Sequence, residues 1–173
     1  MRSTLLALLL SILTGIAHAA AGDSISFNMV HASGATCLPS TSRGRVTVND
    51  LGSVQDMHIE VFGLTAHNSF TTFITQHNSL PFGLSWYQGE IQTDAHGHGV
   101  GDFVGIFSAE SFIVTDPPVQ MDHIGIWFAD PNDAANAGCS GFVTPFDGDH
   151  EGGILVLSTS NFPDNAGPLL MLK

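Results

Sequence analysis

"VQDMHIEVF", Val54–Phe62, alternates with a period of two: Met57, Ile59 and Val61 fall on one side, Asp56, His58 and Glu60 on the other. That is the pattern of a strand with one face in the core and one in water. The next such segment upstream, Gly44 to Asp50, alternates Val46 and Val48 with Arg45, Thr47 and Asn49. Ser24 to His31, Phe70 to Gln76, Ser85 to Thr93, Val100 to Phe107, Ser111 to Thr115, Met121 to Ala129 and Gly153 to Thr159 complete about nine short segments of strand character. Glycine, proline, asparagine and serine separate them at regular spacing. This predicts an all-β fold, an antiparallel β-sandwich of Greek-key or immunoglobulin-like type with about eight to nine short strands. Asp130 to Gly141 has room for one helical turn, capped by Asp130 or Asn132.

The start of the chain reads as an export signal. Arg2 precedes an apolar run from Leu5 to Ala17, and Ala17-His18-Ala19 is a small-x-small cleavage site. The run is short for a membrane span. Removing residues 1–19 leaves residues 20–173, about 150 residues, as one domain of ordinary size in a secreted or periplasmic compartment. Two cysteines, Cys37 and Cys139, sit in loop-like contexts. An oxidising compartment pairs them.

The composition is strongly acidic: sixteen Asp and Glu stand against four Lys and Arg, a net charge of −12. After Arg2 leaves with the signal, only Arg43, Arg45 and Lys173 carry a fixed positive charge. Such a surface repels phosphate backbones and anionic headgroups, so nucleic acid is excluded as a partner. No second apolar segment of membrane length follows the signal.

Two motifs bear on metals. "TDAHGHGVGDF", Thr93–Phe103, carries His96 and His98 on either side of Gly97. Zinc or copper needs three or four converging nitrogen or sulfur donors. The candidate set is His96, His98, His123 and His150, with His58 as a further partner. The competing reading is a hairpin tip, in which Asp94 bonds the amides two residues on and Gly97 and Gly99 supply positive φ. By the same logic His123, flanked by Met121, Ile124 and Ile126, reads as a strand histidine satisfied by backbone. "DGDHEGG", Asp147–Gly153, places Asp147, Asp149 and Glu151 at alternate positions like the first half of a calcium loop, but position twelve is Ser158 and a strand follows. A polar hairpin before the last strand is the better explanation.

Nucleophilic catalysis has no signature here: Gly-x-Ser-x-Gly and His-Glu-x-x-His are both absent. Trp86, Tyr87 and Trp127 are candidate stacking platforms for a sugar. Trp127 is expected in the core, and Trp86 and Tyr87, being adjacent on a strand, are expected to face opposite ways.

Three blocks, "PFGLSWYQGEIQTD" (Pro81–Asp94), "HIGIWFADP" (His123–Pro131) and "VTPFDGDHEGGILVLSTSNFPDNAGPL" (Val143–Leu169), resemble a family of small secreted bacterial proteins of no assigned function. The resemblance runs from Val54 to Leu169 and implies export and a common β fold, but no site residues. In gross features the chain is also similar to copper–zinc superoxide dismutase. It departs from that pattern because its His-x-His lies in a glycine-rich turn and no arginine follows Arg45. "GLTAHNSFTTFI" (Gly63–Ile74), followed by the Thr93-Asp94 hairpin, resembles immunoglobulin-like or chordin-type modules in layout.

The sequence thus predicts a secreted, non-enzymatic binding or structural module of unknown extracytoplasmic ligand, stabilised by Cys37–Cys139. The alternative is an extracytoplasmic metal-binding protein, holding zinc or copper through histidines or calcium through Asp147–Glu151; a metal-dependent enzyme stands behind both.

Overall fold

The computed structural model describes residues 24–107, 111–112, 119–145 and 151–172. The expected export segment lies outside them, as do Asp147, Asp149 and His150. Strands run β1 Ser24–His31, β2 Arg43–Asp50, β3 Gln55–Phe62, β4 Ser69–Thr75, β5 Ser85–Gln92, β6 Gly99–Gly105, β7 Ser111–Phe112, β8 Val119–Gln120, β9 His123–Phe128, β10 Thr144–Pro145, β11 Glu151–Gly152 and β12 Leu155–Ser158. Every segment read as a strand in the sequence overlaps one of these. The class is all-β and antiparallel.

One eight-stranded sheet carries the fold, in the order β5-β4-β9-β12-β1-β2-β3-β6. Rather than dividing into two layers, it curls until β5 and β6, its two end strands, lie side by side. The result is a barrel closed except for one seam. The pairs β10–β11 and β7–β8 form two small ribbons apart from it.

The wall is built in rungs. Met29, Gly44, Val61 and Gly99 share one rung; Phe27, Val46, Ile59 and Gly101 the next; Ile25, Val48, Met57 and Phe103 the third. Paired residues in an antiparallel sheet share a face, so each rung delivers its side chains to the core together. Met29, Val46, Val48, Met57, Ile59 and Val61 are fully buried. Burying such a side chain contributes about 1.5–3 kcal/mol each. Large residues sit against small ones: a Cβ on Gly44 would stand 3.2 Å from Cβ of Met29.

The outer face is selectively covered. On β9, Ile124, Ile126 and Phe128 enter the core cluster, whereas Trp127 does not, although it too is fully buried. Phe73 and Phe82 abut Trp127 edge-on, at 5.7 and 5.1 Å between ring centroids. Phe82 belongs to the loop between β4 and β5, so that loop folds back over the outside of β9.

The short helix α1, Pro131–Asn136, starts where the sequence places it: the Asp130 side chain accepts from the Asn132 amide at 2.7 Å, and Pro131 opens the first turn. Cys37 and Cys139 form the expected disulfide. A 3₁₀ turn, Pro168–Met171, docks the end of the described chain, with the Gly167 amide donating to the Asp122 carboxylate at 3.1 Å. Among the described residues no helix is long and apolar enough to cross a membrane.

Candidate functional site

The glycine-flanked histidines sit on a welded hairpin. One oxygen of Asp94, Oδ1, accepts from the amides of His96 at 2.8 Å and His98 at 3.0 Å. These two bonds hold the Asp94 carboxyl below its ordinary range. Gly97 adopts φ +71°, as the turn demands. Gly99 does not have the positive φ expected of it: it is a strand residue, and its missing side chain serves the seam instead. The tip is tied to the β3–β4 connection by Leu64 N–H to Gly97 O, His67 N–H to Asp94 O and Thr93 Oγ1–H to Thr65 O. His98 lies on the Phe62 ring, 4.9 Å between centroids, and Arg43 lies 4.8 Å from the same ring.

The other histidines go elsewhere. His123 is fully buried, its Nε2 donating to the carbonyl of Asp164 at 3.2 Å and its Nδ1 meeting Thr159 Oγ1 at 2.9 Å. A ring nitrogen that donates to a carbonyl offers no lone pair to a metal. His123 pairs with Thr75 at one end of β4, while the hairpin adjoins Ser69 at the other, roughly 20 Å away by strand rise. His58 bonds Asp102 across β3 and β6, Nδ1 to Oδ1 2.6 Å, on the solvent face. Among the described residues no three His, Cys, Asp or Glu side chains converge to hold a metal ion. Glu151 is exposed on β11, and Ser158 is buried in β12.

Trp86 and Tyr87 are both exposed, at 46% and 45%, where the sequence reading allowed only one. They do face opposite ways, Trp86 opposite Ile74 and Tyr87 opposite Phe73, and both are exposed because β5 is an end strand of the sheet.

What the fold does build is a cleft of about 530 Å³ on the outside of the barrel. Its floor is β9 and β12, through Trp127, Leu155 and Ser158. One wall is the turn after β1, Ala32 to Gly34, with Ile154 against it: a Cβ on Gly34 would stand 3.3 Å from Ile154 Cδ1. A second is Ser140, Phe142 and Thr144, following α1. The third is Asn78, Ser79, Leu80 and Phe82 from the β4–β5 loop.

Each wall is held by a tie of its own. The disulfide joins the first two, since Cys37 closes the turn after β1 and Cys139 immediately precedes Ser140. Thr144 Oγ1 donates to Gly153 O at 2.9 Å. The loop wall is fixed by Asp164, which accepts from the Asn78 amide at 3.0 Å and from His77 Nδ1 at 2.8 Å. Asn78 Nδ2 donates to Phe162 O at 2.9 Å, and Phe162 packs edge-on against Phe27, a core residue. The Asn78 amide, then His77, hold the Asp164 carboxyl below its ordinary range.

Trp127 apart, the cleft residues were missed in the sequence because the lining comes from five separate segments of the chain. The trace they leave is local: Leu80 and Phe142 are exposed apolar residues in glycine-, serine- and proline-rich loops, 66% and 48% exposed.

No protein-family model, curated protein or solved structure matches this chain.

Proposed function

We propose that this protein is an exported, non-enzymatic binding module whose ligand occupies the cleft over Trp127 and Leu155. The observation that carries the reading is the construction of the cleft. Concave sites with an apolar lining and a few polar groups are where small molecules bind. Here three walls from distant parts of the chain are each fastened by a covalent or hydrogen-bonded tie. Preorganised walls lower the entropic cost of binding. Among the described residues the lining has serine hydroxyls but no histidine or carboxylate to activate them, so hydrogen bonding is the chemistry it offers. An oxidising compartment suits the role, because the disulfide joins two of the walls.

The test is thermal shift and mass-spectrometric capture from envelope extracts and a glycan panel, comparing the mature protein with Leu80→Asp/Phe142→Asp. Both substituted side chains are exposed, so the fold survives. A compound that raises the melting temperature of the wild type and not of the variant supports the reading. Captured compounds that bind the two proteins equally, or none at all, refute it.

A further inference from the structure

Resting on that reading, we propose that the cleft takes an uncharged amphiphile: an aliphatic chain lying over Leu155 and Ile154, with a hydroxyl- or carbonyl-bearing head at the serine-lined mouth.

The first argument is charge. None of the described residues that line the cleft is Asp, Glu, Lys, Arg or His, in a chain of net charge −12. An ion brought into such a site loses its hydration and gains no partner. Anions are disfavoured twice, by desolvation and by the acidic surface around them. Neither described arginine lines the cleft: Arg43 lies against Phe62, and Arg45 stands opposite Glu60.

The second argument is the nature of the apolar surface. A sugar is gripped by an open aromatic face. Trp127 has none to give: it is fully buried, with Phe73 and Phe82 edge-on against it and Gly125 beneath its ring. The surface that remains accessible is mostly aliphatic, from Leu80, Ile154 and Leu155 beside the single Phe142 ring, which suits methylene groups.

The third argument is the distribution of polarity. Ser33, Ser79, Ser140 and Ser160 are exposed at the margins, while the buried Ser158 hydroxyl already accepts from the Ser160 amide. Polar groups therefore ring an apolar floor. A molecule with one apolar end and one uncharged hydrogen-bonding end matches both.

The test is calorimetry at pH 8 with four probes below their micellar concentrations: 1-monododecanoylglycerol, dodecanoate, dodecyltrimethylammonium and maltohexaose. The expected result is that the glycerol ester binds at least tenfold tighter than either charged dodecyl probe. Shortening its chain should weaken binding about fourfold per methylene, as loss of a buried CH₂ requires, and Leu80→Asp/Phe142→Asp should abolish it. Equal binding of a charged probe overturns the proposal, as does failure of the ester to bind. Maltohexaose binding that the double variant abolishes would overturn the amphiphile and leave the binding module standing. If the ester fails and the envelope extracts also yield nothing sensitive to the double variant, both fall.

Discussion

Ile91 on β5 rests against the bare Cα of Gly101 on β6: a Cβ added at Gly101 would stand 2.7 Å from Ile91 Cγ1, and one added at Gly99 would stand 2.7 Å from Ile91 Cγ2. The exchange is mutual, since Phe103 of β6 reaches back over Gly89 of β5, where an added Cβ would meet its Cε1 at 2.7 Å. β5 and β6 share no ladder beyond the single Thr93–Gly99 bridge at the hairpin. Interlocking side chains close the barrel where backbone hydrogen bonds do not.

Gly101→Val should therefore destabilise by about 1–3 kcal/mol through overpacking, and Ile91→Ala by about 2–5 kcal/mol through the cavity it leaves. Because the two groups touch, their effects should not add. Urea unfolding of both single variants and of the pair measures this; additive losses would mean that the seam is not held by this contact.

Much of this architecture was legible beforehand. Strand positions and the Asp130 cap depend on local alternation and turn chemistry, which a short window of sequence displays; the cysteine pair was legible because the chain has only two cysteines and reads as exported. The closing of the sheet depends on what faces Gly99 and Gly101 across the seam. No local signal distinguishes a glycine that turns the chain from one that receives a neighbour's methyl groups. The cleft was illegible for the same reason: Leu155, Leu80 and Phe142 acquire meaning only once three loops meet.

Loss of the disulfide should affect binding beyond its effect on stability. Its two cysteines are 102 residues apart. Chain-entropy arguments put a cross-link over about 100 residues at ~4.7 kcal/mol, and native disulfides generally contribute about 2–5 kcal/mol. Cys37→Ser/Cys139→Ser should lose stability in that range by urea titration. Where still folded, it should bind any cleft ligand more weakly, because two walls are no longer joined; unchanged affinity would separate the bridge from the site.

Acid should loosen the loop wall. The Asp164 carboxyl is held below its ordinary value by the Asn78 amide and then by His77. A carboxylate favoured by folding adds stability above its unfolded value of about 3.9 and loses it as pH falls through its lower folded value. The protection factor of the Asn78 amide, its exchange rate measured against the intrinsic rate at each pH, should be high and level above that range and fall below it. Asp164→Ala should lose that protection at every pH; protection that survives the substitution would show that the tie is redundant.

The hairpin should prove nearly indifferent to its imidazoles. His96→Ala with His98→Ala should leave metal content unchanged and lower the melting temperature only slightly, through the lost His98–Phe62 contact, while Asp94→Ala should lower it more by freeing two amides. Stoichiometric zinc or copper that vanishes in the double variant would show that those rings gather in solution.

The sheet order has a kinetic meaning as well. β1, the first strand of the described chain, takes β12, the last, as one of its neighbours, Val30 lying opposite Ser158. Until residues near 158 are present, the middle of the barrel wall cannot be joined. Pairing across that sequence distance is slow, because a long loop must close before any contact rewards it. A chain with this order stays open while it is being made, and it commits to its shape only when nearly all of it is present.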